Sequence, residues 1–233
     1  GHRTQAWLSK GKIKPTWVES GKLSVGDYIG FAIPREIVPV PDLSEDDAHL
    51  YGILLGDGHL SKDGMQWGVS GHPQRDAHLD FVRTYLQARG IHSWETARGD
   101  SYVQIHWAAG QGVLRDGTTG RITGAGAPTL PFGYDDLYDQ NHNKRIARRL
   151  SHLPRAHTLA LVQGLLETDG CVSRGKELTF TSASEALAYG LRYQMLRLGV
   201  PVSGQKRTRQ HQHEGVRSDG SVARFDGEST SID

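Results

Sequence analysis

Two rhythms of apolar residues run along this chain. In the first, Leu79, Val82 and Leu86 recur at helical spacing and stop at Gly90. Leu187, Leu191, Met195 and Leu198 do the same before Gly199. Such spacing lays one apolar stripe along a helix, and a glycine just past the stripe is a common left-handed stop. In the second rhythm, Val103, Ile105 and Trp107 alternate with Tyr102, Gln104 and His106 within SYVQIHWAA, the period of a strand with one buried face. GMQWGVS and ELTFTS are shorter runs of the same character. Ser44, with Asp47 three residues on, marks the start of a helix that runs to about Gly56, and Pro154 and Gly170 bracket another. The order helix, strands, helix, strands predicts an α+β fold with helices on one face of antiparallel sheet.

The pattern occurs twice. AHLYGILLGDGHLS at residues 48–61 aligns with ALVQGLLETDGCVS at residues 160–173 at a constant offset of 112, which pairs Gly52 with Gly164, Leu54 with Leu166, Asp57 with Asp169 and Ser61 with Ser173. VSGHPQRDAHLDFVRTYLQARGI then parallels TSASEALAYGLRYQMLRLGV, three residues shorter. Two matched stretches in the same order indicate a duplicated unit. Within the paired helices, Ala48, Gly52 and Gly56 recur every fourth residue, as do Ala160, Gly164 and Thr168, so small residues line one helical face. Glycine inside a helix costs about 1 kcal/mol relative to alanine, and close approach of two helix backbones is the physical reason to keep it. If these faces pack together, the helices end together and Asp57 comes beside Asp169. A single Asp-Gly at a helix end is ordinarily a turn. Two at equivalent positions of a repeat form a carboxylate pair that repels itself unless a cation intervenes.

Composition narrows the setting. With 36% hydrophobic and 23% charged residues the chain reads as a water-soluble globular protein, without an apolar run long enough to span a bilayer and without a secretory h-region at its start. Its one cysteine, Cys171, has no internal disulfide partner, which suits a reducing, cytoplasmic setting, and a core or near-site packing role is expected of it. The net charge of +1 points to no particular partner, but its distribution does. Lys144, Arg145, Arg148, Arg149 and Arg155 lie in an acid-free stretch, and KRTRQHQH at residues 206–213 is a second basic run. Each can be a solvated face or a nucleic-acid contact. His211 and His213 lack cysteine or carboxylate partners at zinc-ligand spacing. The glycine-rich residues 108–128 read as a loop, since no Gly-Lys-Ser/Thr follows to make a phosphate cradle.

YGILLGDGHLS and VQGLLETDGCVS resemble the two copies of the motif that names the LAGLIDADG homing endonucleases. The resemblance implies a monomer of two pseudo-twofold related αββαββα repeats packed through their motif helices, acting on a double-stranded DNA target and not on membranes. Each repeat's sheet would form a saddle on the DNA. It further implies that Asp57 and Asp169 bind Mg2+ or another divalent cation with help from the Gly56 and Thr168 carbonyls. The cation would then activate water and stabilise the leaving oxygen of phosphodiester hydrolysis. The family places a lysine near each site. Lys144 is the candidate in the first repeat, and the second repeat shows no counterpart. On the DNA face the expected contacts are Arg98, Gln104 and His106 in the first repeat, and Lys176, Thr179, Thr181, Lys206, Arg207 and Arg209 in the second. These are polar side chains at or near alternate positions.

HRTQAWLSKGKIKPTWVESGKLSVGDYIGFAIP resembles the middle of an intein splicing domain, with a His opening a block and the Leu-x-x-Gly-Asp stretch at Leu23 to Asp27. The domains expected are therefore residues 1–41 as a short β-rich remnant of a splicing domain, 42–150 as the first repeat and 151–233 as a second, truncated one. Only 64 residues follow Asp169, so SVARFDGESTSID is expected to start a sheet whose last strands and helix are missing. The chain begins with neither Cys nor Ser and ends without His-Asn, so it is not expected to splice alone; the remaining intein fragment is a further expected partner. The resulting function is that of an intein-encoded homing endonuclease. The alternatives are a catalytically silent DNA-binding module of the same fold, or a split-intein fragment that splices with a partner piece.

Overall fold

A computed structural model of the 233-residue chain describes residues 3–7, 15–30, 32–108, 114–115, 118–119, 122–124, 130–173, 177–204, 206–216 and 222–232. The chain divides into two compact units, Gly1–Arg35 and Glu36–Asp233. In the first unit, strands β1 (Arg3–Trp7), β2 (Pro15–Glu19) and β3 (Tyr28–Ile29) form an antiparallel sheet ordered β2-β1-β3. The Leu23–Asp27 stretch is a closed turn. The Asp27 carboxylate accepts from Ser24 N at 2.8 Å, and Gly26 sits at φ +107°, a conformation that side chains disfavour.

In the second unit the elements follow as α1 (Glu45–Gly56), β4 (Gly58–Leu60), β5 (Gln66–Gly71), α2 (His78–Ala88), β6 (Ser93–Arg98) and β7 (Tyr102–Ala108). Short pieces β8 (Leu114–Arg115), β9 (Ile122–Gly124) and α3 (Tyr134–Leu137) lead to α4 (Arg155–Asp169), β10 (Gly170–Ser173), β11 (Glu177–Phe180), α5 (Glu185–Leu198), β12 (Lys206–Val216) and β13 (Val222–Ile232). The expected helix boundaries recur. Ser44 caps α1 in a reciprocal capping box with Asp47, and Gly90 and Gly199 adopt positive φ just beyond α2 and α5. Asp47 is itself fully buried, and Ser44, Tyr85 and Arg89 donate to its carboxylate, so the cap also ties α1 to α2.

Helix α1 is apolar nearly all round, as a helix wrapped by protein must be. On one side it meets α4, side by side and parallel. A Cβ added at Gly52 would strike the Leu161 carbonyl and lie 2.9 Å from Leu165 N; one at Gly164 would strike the His49 carbonyl and lie 2.9 Å from Ile53 N. The glycines do not face each other directly; each seats the opposite helix's backbone. His49 and Glu167 join the same interface through a 2.8 Å contact. On the other side α1 packs on a four-stranded antiparallel sheet ordered β4-β5-β7-β6, whose inner face buries Trp67, Val69, Val103, Ile105 and Trp107.

Three expectations need correction. The described parts of residues 108–128 include a small strand pairing, β8 with β9, within what reads as a loop. Cys171 is exposed on β10, not packed in the core. SVARFDGESTSID, the segment expected to open a sheet, holds β13, which pairs with β12 in a continuous ladder from Lys206↔Ile232 to Val216↔Val222. The second half also makes no single saddle. Among the described residues its strands form two separate hairpins, β10–β11 and β12–β13. β10 and β11 offer little apolar surface to bury: Val172 and Leu178 are 66% and 52% exposed, and Phe180 at the end of β11 packs only partly buried against the core, so the face that would draw the pairs together is small.

Candidate active site and nucleic-acid face

Because α1 and α4 run in parallel with their small faces together, both end at the same place. Asp57 is the C-cap residue of α1 and Asp169 the last residue of α4. Gly56 and Thr168 meet immediately below: a Cβ at Gly56 would collide with the Thr168 side chain and lie 3.4 Å from Asp169 Oδ2. Thr168 Oγ1 turns back to donate to the Leu165 carbonyl at 2.9 Å, which keeps its hydroxyl on its own helix. The two carboxylates thus share one partly buried space. Burial raises the pKa of Asp169, Asp57 adds repulsion, and Lys144 opposes both. Burial likewise raises Asp57, against attraction from His78 and Lys144.

Lys144 is brought in from far along the chain. Tyr51 on α1 donates its hydroxyl to the Asp136 carbonyl at 2.5 Å and accepts from Ala147 N at 3.0 Å, clamping the segment that follows α3. Within that segment Asp139 accepts from Asn141 N and Asn143 N, both at 2.8 Å, closing a turn, and Ser184 at the start of α5 donates to the Lys144 carbonyl at 2.5 Å. The Lys144 ammonium then donates to the Gly56 carbonyl. Burial pushes its pKa down to about 8, while Asp169 and Asp57 pull it back up. Arg149, Arg145 and Arg155 of this stretch bind elsewhere in the fold. Arg149 pairs with Asp136 at 2.6 Å, Arg145 donates to the Asp135 carbonyl at 2.7 Å, and Arg155 to the Leu198 carbonyl at 3.2 Å.

His78 gave no local signal in the sequence, because it sits in the next helix. It is buried, with Nε2 3.2 Å from the Ser70 carbonyl and 4.0 Å from Asp57 Oδ2. A hard divalent cation fits this donor set. Two carboxylates and a helix-end carbonyl converge, all are oxygens, and the pair bears more negative charge than one lysine offsets. Among the described residues no group of three or more His, Cys, Asp or Glu side chains converges, so the donor set is carboxylate and backbone oxygen, unlike a structural zinc site.

On the outer face of the four-stranded sheet the register lines up rows across the strands. His59, Gly68, His106 and Trp94 form one row; Ser70, Gln104 and Thr96 form the next. His106 stacks on Trp94 with 5.6 Å between ring centroids, and a side chain at Gly68 would run into the His59 imidazole. Gln104 Nε2 lies 3.3 Å from His59 Nδ1, and Gln66 Nε2 lies 3.4 Å from His106 Nδ1. Burial lowers the pKa of both histidines, which favours their neutral forms. Gln104 and His106 therefore share this face. Trp94 and His59 join them; the alternation Trp94, Thr96, Arg98 was the available signal for the first, and nothing marked the short strand holding the second. In the second half the expected residues are dispersed. Thr179 donates to the Cys171 carbonyl at 3.2 Å, and Lys206 pairs with Glu185 at 3.2 Å. Thr181 follows β11 and Arg207 lies on β12. Lys176 and the side chains of Arg98 and Arg209 lie outside the described residues. Among those residues no helix is long and apolar enough to cross a membrane.

No curated protein matches the chain. Among solved structures it is similar to variants of the homing endonuclease I-DmoI (12% identity, 82% of this chain and 84% of that one, TM-score 0.41). It is also similar to I-DmoI in complex with DNA and Mn (14% identity, 82% and 91%, TM-score 0.41). A third similarity is to full-length DUF199/WhiA from Thermatoga maritima (9% identity, 84% of this chain and 52% of that one, TM-score 0.44). Residues 156–229, from the start of α4 to within β13, match the family model of the LAGLIDADG-like domain.

Proposed function

We propose that the Glu36–Asp233 unit is a LAGLIDADG-type homing endonuclease module that hydrolyses phosphodiesters of double-stranded DNA with a divalent cation, and that it is carried in an intein. The observation that supports this most is the convergence of Asp57, Asp169, Lys144 and the Gly56 carbonyl at the shared end of two close-packed parallel helices. The family-model match over residues 156–229 agrees with it, and the closed turn at Leu23–Asp27 is compatible with a splicing-domain remnant.

Each residue then has a role. Asp57 and Asp169 would hold the cation, with the Gly56 and Thr168 carbonyls beside them. When bound, the cation would supply the Lewis-acid charge that phosphodiester hydrolysis requires. Lys144, with its pKa near 8, can exchange a proton at Nζ close to neutral pH. The sheet face carrying His59, Gln104, His106 and Trp94 would meet base edges and sugar-phosphate, with Thr179, Lys206, Arg207 and Arg209 extending the contact along the second half. The test is plasmid linearisation beside a gel shift on one target, the intein insertion site. Asp57→Asn and Asp169→Asn should each reduce cleavage by at least about a thousandfold, the scale of losing a transition-state stabiliser, and leave affinity within about threefold. Cleavage that survives in both variants overturns the catalytic assignment. Wild-type binding without cleavage in Mg2+ moves the chain to the DNA-binding alternative.

A further inference from the structure

Where the two motif helices end, a cation is already in place. The Lys144 ammonium donates to the Gly56 carbonyl and feels both Asp57 and Asp169. Any cation drawn to the carboxylate pair is drawn to the same spot, because that is where two anionic groups and a helix C-terminal carbonyl concentrate negative potential. The lysine is not there by chance of a floppy side chain. Its backbone carbonyl accepts from Ser184 Oγ, and its segment is clamped by Tyr51 and by the Asp139 turn. Space below is closed as well, since Gly56 abuts Thr168 with no room for another side chain.

We infer that Lys144 is the resident counter-ion of this site and competes with the divalent cation for the Gly56 carbonyl, so that cation binding evicts its ammonium. The inference rests on the cation reading of the Asp57–Asp169 pair given above. Its consequence is a gate on loading: the lysine holds the carboxylates together when no divalent ion is present, weakens loading at low ion concentration, and is released into the substrate-facing space once the ion binds. Lys144 would then be a positioning residue before loading and a free amine after it. This also accounts for a single lysine that feels carboxylates from two different helices, where a pure structural ion pair would need only one.

The test uses the whole chain, Ca2+ as probe and two readouts that do not involve cleavage. Isothermal titration calorimetry compares wild type with Lys144→Met and with Arg148→Met, which removes a positive charge from an exposed position of the same segment. Lys144→Met should bind Ca2+ about tenfold more tightly, the scale expected when a competing unit charge leaves a partly buried site, and Arg148→Met should match wild type. In wild type, NMR of 13C-labelled lysine should show the Lys144 Cε resonance moving on Ca2+ saturation from a restricted position to that of mobile lysines, a readout that stands even if the methionine variant does not fold. Equal Ca2+ affinity in wild type and Lys144→Met, or a Lys144 resonance that stays restricted while Ca2+ binds, overturns the competition and leaves the cation site standing. No Ca2+ binding in wild type or in either variant overturns the cation reading itself.

Discussion

The two halves of the Glu36–Asp233 unit share a run of elements but not a sheet. Each begins with a motif helix, adds two strands, turns back through a second helix and adds two more strands, after which the first half continues through β8, β9 and α3. In the first half those strands close into one sheet, β4-β5-β7-β6; in the second they remain β10–β11 and β12–β13. The helices are alike because their requirements are alike: a small-residue face, a capped start and a stop. The sheets differ because a sheet needs an apolar face to bury. SYVQIHWAA supplies one at every second position, while KRTRQHQHEGV supplies none before its last residue. A duplicated order of elements therefore does not by itself produce duplicated layers.

The largest expected effect probes that contrast. Trp107 is fully buried and lies parallel to Trp67, with 6.1 Å between ring centroids. Trp107→Ala should cost about 3–5 kcal/mol in urea unfolding, as large aromatic truncations in cores do. Val172→Ala and Leu178→Ala, on the exposed hairpin of the second half, should stay within about 0.5 kcal/mol. A loss of 2 kcal/mol or more from either hairpin change would mean that the second half buries a face after all, and the comparison above would fail.

A smaller effect separates glycines that look the same in sequence. Gly52→Ala drives a methyl group into the Leu161 carbonyl, and helix backbone cannot step aside as a side-chain end can. Its overpacking should exceed the roughly 1 kcal/mol that alanine gains in helix propensity, leaving a net loss of about 1–3 kcal/mol. Gly190, inside α5, is the control. A Cβ there would lie 3.3 Å from the Ile146 side-chain tip, which can yield, so Gly190→Ala should be neutral or stabilising by up to about 1 kcal/mol. If both alanines behave alike in thermal unfolding, the close approach of α1 and α4 is not what keeps Gly52.

How much of this was legible from the residues alone follows the range of each signal. Caps, stops and the strand alternation are local, and Ser44, Gly90, Gly199 and Val103–Trp107 announced them. The convergence of the two Asp residues could be inferred from spacing, because equal spacing of small residues on two helices leaves few other uses for them. Lys144 was the candidate only through the family resemblance; the residues themselves set it among several basic neighbours in a row. What distinguishes it from Arg145 or Arg149 is its ammonium on the Gly56 carbonyl, a contact between residues 88 positions apart. His78 was invisible for the same reason, and so was the splitting of the second sheet, which depends on what fails to pack. The exposed Cys171 shows the converse error. A residue two places after a helix-end carboxylate reads as packed, but β10 turns out to solvent there.

The smallest effect concerns the price in stability that the site exacts without a bound cation. Both carboxyl groups have folded-state pKa values above the ordinary carboxylate value, so the folded protein holds their protons more tightly than the unfolded chain does. In the window between that ordinary value and the raised one, wild-type stability therefore falls as pH rises. Asp169→Asn removes a buried charge that has repulsion to contend with, and in divalent-free buffer at neutral pH it should be more stable than wild type. Partial solvent exposure keeps the gain below about 1 kcal/mol. The gain should shrink as the pH is lowered toward 4, where the wild-type carboxyl regains its proton in both states. Asp57→Asn should gain less, since His78 and Lys144 both attract the charge it removes. Lys144 has the opposite slope: with its pKa down to about 8, wild-type stability rises from there toward the ordinary lysine value near 10.5, and Lys144→Met should lose that rise. Urea midpoints for the four proteins across these two windows decide the matter. A stability difference for Asp169→Asn that stays constant from pH 4 to pH 7 would show that the two carboxylates do not share a buried space, and the comparison of equivalent helix ends would lose its strongest electrostatic support.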